Sequence, residues 1–149
     1  MSPGELEHYL HEHIPLTRAM AVAVVAASTE EVVLEAPLAP NINHRETVFG
    51  GSASAVAILT AWALVHLRLI ASGLPSRVVI QRNTMEYLLP IAGTFRGQAR
   101  LGDAEWNTFA RMLARKGRGR ITVAAELVFE QRVAARFDGD FVAFANERP

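Results

Sequence analysis

The chain contains no cysteine among its 149 residues. This absence excludes a disulfide scaffold, a thiol nucleophile and a thiolate metal site. The net charge is also zero, because 15 Lys and Arg residues balance 15 Asp and Glu residues. A general nucleic-acid binder needs a basic excess, so we expect no nucleic-acid partner. The first residues, MSPGELEHYLHEH, are polar and acidic and show no secretory signal.

Hydrophobic residues, in contrast, make up 50% of the chain, which is enough for a sizeable core. The length is typical of one domain, so we predict a single domain over residues 1–149. Without cysteines or a secretory signal, we expect a cytoplasmic protein.

Local signals predict the first elements. Ser2, Pro3 and Glu5 are typical of a helix start, and Pro15 ends the apolar periodicity that follows. The valine-rich segments 20–27 and 31–36 are predicted to be strands that are joined by a turn at residues 28–30.

Residues 50–72 predict a long helix that is enclosed by the rest of the chain. No charged residue occurs between Ser52 and Val65, so the helix is apolar on every side. A membrane span needs about 18 apolar residues, and His66 and Arg68 interrupt this run earlier. We therefore expect no membrane association.

The second half is predicted to be rich in strands. Asp103 is expected to cap a short amphipathic helix that Gly117 closes, and a tight or bulged turn is expected near Gln131. The predicted strands are residues 77–90, 94–101, 120–131 and 132–145. About six strands with one fully buried helix predict an α+β fold, in which a curled antiparallel sheet wraps around the central helix.

The sequence Phe49-Gly50-Gly51-Ser52 lies where a loop enters the central helix. Glycines allow a ligand to approach the backbone, and free N–H groups in a first helical turn favour a developing negative charge. This pattern is typical of an oxyanion site. The alternative is a helix entry that needs glycine for close packing.

Several polar residues near this point are candidates for chemistry. Asn41 and Asn43 could hold a carbonyl group or a water, or they could merely cap turns. Ser52, Ser54 and Thr60 place hydroxyls on the helix, but spacing fixes no base beside them; capping by Ser52 and back-bonding by the other two are the simpler roles.

Charged residues offer two further possibilities. His8 with His11 or Glu12 could contribute to a metal site, but no third ligand is visible and a solvated helix face is the favoured explanation, so we predict no metal. His44 is the one histidine near the glycines. The segment RKGRGR, with Arg115, Lys116, Arg118 and Arg120, could surround phosphate groups, or it could form a charged helix end and strand edge.

Taken together, these segments resemble a hotdog-fold thioesterase, and most closely the thioesterase domain at the C-terminus of YiiD-type proteins. The resemblance covers nearly the whole chain. Its strongest pieces are APLAPNINHRETVFGGS, LTAW, EYLLP, GRGRI and RFDGDFVAF. It implies a hotdog fold and subunits that pair, with an acyl-thioester site at the dimer interface.

Relatives that act on acyl-CoA share the pattern Asn-x-x-Gly-Thr-x-His-Gly-Gly. Asn43, Thr47, Gly50 and Gly51 fall on its matching positions, whereas Glu46 replaces the first glycine and Phe49 the histidine. Those relatives also carry an acid seven residues after the second glycine, and Ile58 occupies that position here.

The resemblance therefore implies an acyl-thioester hydrolase for acyl-CoA or acyl-carrier-protein substrates that needs no cofactor. Asn43 and Gly51 are its predicted catalytic residues. The predicted substrate-binding residues are Gly50, Ser52, Ser54, Tyr87, Arg115, Lys116, Arg118 and Arg120.

A non-catalytic acyl-thioester binding module is the alternative function, which Ile58 favours. A hotdog dehydratase would need a paired His and acid, and the uncharged helix disfavours it. We expect a homodimer or a dimer of dimers, because a sheet edge and an apolar face require cover.

Overall fold

A computed structural model describes residues 1–146 of the chain. Its helices are α1 (Pro3–His13), α2 (Pro15–Ala19), a short 3-10 turn (Ala39–Asn41), α3 (Gly50–Ala71) and α4 (Asp103–Lys116). Its strands are β1 (Ala23–Ala27), β2 (Glu31–Ala36), β3 (Ser76–Tyr87), β4 (Phe95–Arg100), β5 (Arg118–Phe129) and β6 (Arg132–Ala145).

The six strands form one sheet in the order β1-β2-β4-β5-β6-β3, and every neighbouring pair is antiparallel. The sheet curls around α3, which contacts β2, β3, β4, β5 and β6. This arrangement confirms the predicted α+β fold with a wrapped central helix. β5 and β6 alternate buried and exposed residues because one face of the sheet covers the helix.

Helix α3 is the core of the molecule. It is long and apolar enough to cross a membrane, but 67% of its most apolar window is buried inside the protein. Val56, Ala57, Ala61 and Leu64 are fully buried. The uncharged run in the sequence therefore reflects enclosure by the sheet, as predicted.

The first helix begins with the predicted capping box. Ser2 Oγ accepts a hydrogen bond from Glu5 N–H at 3.2 Å, and Glu5 Oε2 accepts one from Ser2 N–H at 2.7 Å. The bond from Ser2 N–H to the carboxylate, followed by the Ser2 side chain, lowers the pKa of Glu5. Pro15 ends α1 as predicted but also starts α2, which was not predicted; the ring of proline suits the first position of a helix. The first strand consequently starts at Ala23, later than Met20.

The prediction that Asp103 caps α4 is wrong. Gly102 is the N-cap, and the Asp103 carboxylate instead accepts a hydrogen bond from the buried Arg68 guanidinium at 2.8 Å. Arg68 also donates to Leu101 O at 2.8 Å and lies 5.0 Å from the ring centre of Trp106. A tertiary contact between α3 and α4 thus uses the side chain that the local pattern assigned to capping.

Two turns agree with the predictions. Gly117 ends α4 with a left-handed φ of 74°. The hairpin between β5 and β6 is closed by Glu130 and Gln131, whose φ values are 49° and 65°. Two consecutive left-handed residues are typical of a two-residue hairpin turn that matches the twist of the strands.

Close approach between α3 and β4 depends on a glycine. A Cβ atom on Gly97 would overlap Thr60 Oγ1 and would lie 3.2 Å from Val56 Cγ1. Thr60 Oγ1 donates to Val56 O at 2.6 Å, the back-bond that was predicted for a hydroxyl on this helix. Gly97 therefore lets the strand lie directly against the helix.

We expect Gly97→Ala to lower the free energy of unfolding by about 1–3 kcal/mol, because Thr60 and Val56 must shift to make room. Chemical denaturation measures this. Gly4→Ala is the matched control, since nothing lies within 4 Å of a Cβ atom at Gly4, and its stability should not decrease. Equal stability of the Gly97 variant and the wild type would contradict the packing account.

Candidate functional site

The first turn of α3 has no side-chain cap. Phe49 is its N-cap, and its side chain has no hydrogen-bond acceptor. The helical ladder begins where Ala53 N–H donates to the backbone oxygen of Phe49 at 3.0 Å. The N–H groups of Gly50, Gly51 and Ser52 precede that bond and have no acceptor within the helix. They can therefore bind a carbonyl oxygen or an anion at the positive end of a 22-residue helix. The prediction that Ser52 caps the helix is wrong.

The entry loop is held by backbone bonds to distant segments. Val48 N–H donates to Ile91 O at 2.8 Å, and Phe49 N–H donates to Asn41 O at 2.8 Å. Asn41 itself is buried, and its Nδ2 donates to Met20 O and Pro37 O. Asn41 is thus a structural residue that fixes the path of the chain into α3.

An apolar cavity of about 320 Å³ adjoins this turn. Tyr87 borders it, and its hydroxyl donates to Gly50 O at 3.2 Å. Its lining residues are Val48, Gly50, Ala53, Tyr87, Leu88, Leu89, Pro90, Ile91, Ala134 and Ala135. The cavity thus places apolar walls beside the free N–H groups of Gly50 and its neighbours. Ser54 and Ser52, both predicted to bind substrate, do not line it.

Most of the cavity wall was not predicted from the sequence. Leu88, Leu89 and Ile91 follow β3, and Ala134 and Ala135 lie in β6, so the wall forms where the two strands pair. Leu88 N–H and Leu89 N–H both donate to Ala134 O, at 2.8 and 3.0 Å. The EYLLP segment was the only available signal, and it pointed to Tyr87 alone.

Gly51 is also required for close packing. The exposed ring of Phe49 lies over Gly51 so closely that a Cβ atom there would overlap the ring. The structure therefore supports the packing alternative for Gly51, alongside its free N–H group. Phe49 takes the position of the histidine in the acyl-CoA pattern and contributes a hydrophobic cover in its place.

Asn43 is engaged within the entry loop. Its Nδ2 donates to Thr47 Oγ1 at 3.0 Å and to Val48 O at 3.4 Å. Its Oδ1 accepts from Arg45 N–H at 2.8 Å and from Thr47 N–H at 3.2 Å. The amide thus has partners on both sides, which supports the turn-capping alternative and a positioning role.

The described residues place no acid beside the cavity. Ile58, at the position of the relatives' acid, is half-buried on α3, and no Asp, Glu or His lines the cavity. His44 and Glu46 are exposed in the entry loop. Tyr87 is the one titratable side chain in the lining.

The other histidines lie elsewhere. His8 and Glu12 pair with each other at 3.4 Å on the exposed face of α1, and residues 1–146 contain no group of three side chains that could hold a metal ion. The rings of His66, Tyr9 and Trp62 form one cluster, in which each ring is stacked against the other two. Burial, followed by the charge of His13, lowers the pKa of His66. His66 lies 16 residues along α3 from Gly50, or about 24 Å, so it is not a base for this site.

The basic segment borders a second and larger depression. A groove of about 580 Å³ lies between α4 and strands β3, β5 and β6, and Lys116, Arg118 and Arg120 line it together with Met112 and Phe144. Arg115, which was predicted with them, does not line it. Arg120 Nη2 lies 3.7 Å from the Asp140 carboxylate, so part of its charge is already balanced.

The architecture is that of the hotdog fold of thioesterases. A family model described as "Putative thioesterase (yiiD_Cterm)" matches residues 4–145, and the chain belongs to this family. Among solved structures, a protein of unknown function from Chlorobaculum tepidum is similar, with a TM-score of 0.91 and 25% identity over 97% of this chain and 98% of that one. A putative thioesterase from Shewanella oneidensis has a TM-score of 0.85 and 26% identity over 95% of this chain and 96% of that one.

The entry loop contains one strained residue. Glu46 has a φ of 62°, in the left-handed region that favours glycine, and it stands where the acyl-CoA pattern has its first glycine. Its N–H donates to Asn43 O at 3.2 Å, which closes the turn. Glu46 therefore adopts the left-handed backbone conformation that a glycine would adopt at this position without steric cost.

We expect Glu46→Gly to raise the free energy of unfolding by about 1 kcal/mol, because glycine adopts this φ without steric cost. Thermal or urea unfolding measures the change. Arg45→Gly is the control: Arg45 is the exposed neighbour and has no positive φ, so its replacement should stabilise nothing. If both glycine variants lose stability, the backbone of Glu46 is not strained.

Proposed function

We propose that the protein is an acyl-thioester hydrolase that acts on acyl-CoA or acyl-carrier-protein substrates. The observation that carries this proposal is the uncapped first turn of α3, which opens beside an apolar cavity. Free N–H groups next to an apolar chamber match the two ends of an acyl thioester, a polar carbonyl and an apolar chain. Membership of a thioesterase family supports the same chemistry.

In this reaction the carbonyl oxygen lies against the N–H groups of Gly50 and Gly51. Water adds to the carbonyl carbon, and the negative charge that develops on the oxygen is stabilised by these donors and by the helix end. The carbon–sulfur bond then breaks, the sulfur takes up the proton from the attacking water, and a carboxylic acid and a thiol result. Asn43 acts as a positioning residue, because its bonds to Thr47 and Val48 shape the loop that leads to Gly50.

A binding module is the second candidate. Ile58 and the lack of an acid or a histidine in the cavity lining favour it, because water attack on a thioester usually needs a general base. Such a module would hold the acyl thioester in the same cavity without cleaving it. The two candidates share a binding site and differ in turnover.

Release of free thiol from a panel of acyl-CoA and acyl-carrier-protein substrates tests the first candidate. We expect release by the wild type. We expect Ala53→Leu to lower turnover about tenfold or more, because the larger side chain fills the cavity next to the helix turn. Ala124→Leu is the control, since Ala124 is exposed on β5 and does not line the cavity.

Direct binding of the same thioesters separates the two candidates. Binding without thiol release, weakened by Ala53→Leu, would select the binding module. If the folded wild-type protein neither binds these thioesters nor releases thiol from them, both candidate functions are contradicted. Melting temperatures of the two variants show whether lost activity reflects lost folding.

We further propose that the basic groove contacts the phosphates of a coenzyme A substrate. Lys116 and Arg118 form no ion pair among residues 1–146, so both cations are available. The exposed side chains of Met112 and Phe144 provide apolar surface beside them for a planar base.

The double variant Lys116→Ala with Arg118→Ala should bind acyl-CoA roughly tenfold more weakly, a loss of about 1.4 kcal/mol. Added salt should weaken binding by the wild type because it screens exposed charges. Arg115→Ala is the matched control, as it removes a neighbouring cation that does not line the groove. Isothermal titration calorimetry measures the affinity of each variant and the effect of salt on the wild type. Equal affinities for all three proteins would assign the groove no part in binding.

A further inference from the structure

Two polar groups of the candidate site belong to one peptide unit. The peptide bond between Gly50 and Gly51 joins the carbonyl oxygen of Gly50 to the N–H group of Gly51. This N–H group has no acceptor within the helix, and it is one of the donors proposed to bind the thioester carbonyl. The hydrogen bonds of the Gly50 oxygen therefore affect a donor that faces the substrate.

The Gly50 oxygen accepts two hydrogen bonds. One comes from within α3, because the helical pattern brings Ser54 N–H to this oxygen. The other comes from outside the helix: the hydroxyl of Tyr87, at the end of β3, donates to it at 3.2 Å. A carbonyl oxygen has two lone pairs, so both bonds can form together.

The neighbouring peptide units lack the second bond. Gly50 N–H belongs to the peptide whose carbonyl is Phe49 O, and Ser52 N–H belongs to the peptide whose carbonyl is Gly51 O. Within residues 1–146, no side chain donates to either of these two oxygens. Among the three open donors, Gly51 N–H is thus the one whose peptide is bonded at its carbonyl from outside the helix.

A hydrogen bond to the carbonyl end of a peptide strengthens the donor at the other end. The peptide group is a resonance hybrid, so a donor at the oxygen draws electron density from the nitrogen and makes the N–H more positive. This cooperative strengthening is about 10–30% per bond. It also acts in the reverse direction, because negative charge near Gly51 N–H makes the Gly50 oxygen a better acceptor for Tyr87.

Aromatic rings beside both glycines favour this effect. The ring of Tyr87 lies 3.7 Å from the position that a Cβ atom of Gly50 would take, and the ring of Phe49 covers Gly51. Apolar neighbours lower the local dielectric constant, which strengthens hydrogen bonds and their mutual polarisation. The bond of 3.2 Å is long for a hydroxyl donor, as catalytic hydrogen bonds often are before substrate binds.

We propose that Tyr87 is a positioning residue that acts through the Gly50–Gly51 peptide: its hydroxyl polarises the Gly50 carbonyl and makes Gly51 N–H the principal donor to the thioester oxygen. The phenol keeps its proton throughout the reaction and does not touch the reacting atoms. Its effect is largest when negative charge develops on the thioester oxygen. This inference rests on the proposed binding of the carbonyl at the first turn of α3.

Two changes at Tyr87 weaken and strengthen the same hydrogen bond. Tyr87→Phe removes the hydroxyl and keeps a ring in the cavity wall. The chain has two tyrosines, Tyr9 and Tyr87, so growth on 3-fluorotyrosine in a Tyr9→Phe background places fluorine at position 87 alone. Fluorine makes the phenol a stronger donor. Tyr9→Phe with ordinary tyrosine is the matched control, because it removes a hydroxyl on α1.

NMR spectra of the free protein report on this peptide directly. We expect Tyr87→Phe to move the carbonyl ¹³C resonance of Gly50 and the amide ¹⁵N resonance of Gly51 upfield, because a donor at the oxygen deshields both nuclei. Fluorotyrosine should move both downfield, and Tyr9→Phe should move neither. Mildly acidic pH keeps the phenols protonated. If the two nuclei do not respond in opposite directions to the two changes, or if residues throughout α3 shift equally, the proposal is wrong.

Thiol release measures what the polarisation contributes to turnover. We expect Tyr87→Phe to lower turnover at saturating acyl-CoA about two- to eightfold, because a strengthening of about 10–30% acts on a donor whose loss costs about 10²–10³. Affinity for the unreacted thioester should change little, since its carbonyl carries less charge before the reaction. A lower melting temperature or affinity with unchanged turnover would assign Tyr87 a structural role and overturn the proposal.

The two measurements separate this proposal from the proposed hydrolysis. A wild-type protein that releases no thiol would contradict the hydrolase, whereas the spectra of the free protein would still confirm or overturn the polarisation of Gly51 N–H. In an active protein, the expected spectral shifts together with unchanged turnover of Tyr87→Phe would overturn the contribution of Tyr87 to the reaction.

Discussion

The enclosure of α3 by the sheet is the constraint on which the rest of the structure depends. A helix with no charged residue from Ser52 to Val65 cannot lie on a surface exposed to water, so the strands must surround it. Contact between helix and sheet in turn requires Gly97, because any side chain there would meet Thr60. The same packing fixes the start of the helix at the rim of the sheet, where Val48 bonds to Ile91 and the first turn stays open.

Features that depend on local chemistry could be predicted from the sequence. The capping box of α1, the glycine that ends α4 and the enclosed α3 each follow from residues close together in the chain. Predictions failed where a distant partner competed for the same group. Asp103 carries the pattern of a cap, but Arg68, 35 residues away in the chain, binds its carboxylate. Pro15 ends one helix and begins another, and local rules permit both.

The candidate site shows the same division. Gly50 and Gly51 could be predicted as a helix entry with free N–H groups because their role is local. The apolar cavity could not, since Leu88 and Ala134 meet only through the register of β3 on β6. Asn43 matches the acyl-CoA pattern, yet its amide bonds within its own loop, so its part in the site is to hold the backbone. The proposed thioester chemistry rests on the open helix end beside an apolar chamber.

The most direct test is an NMR titration of ¹⁵N-labelled protein with a non-hydrolysable acyl-CoA analogue. In this analogue a methylene group separates the sulfur from the carbonyl carbon, so a thioether and a ketone replace the thioester. If the first turn of α3 binds the carbonyl, the amide resonances of Gly50, Gly51 and Ser52 shift most and saturate together with those of Ala134 and Ala135 in the cavity. Binding that shifts other amides and leaves these three unchanged would contradict the account.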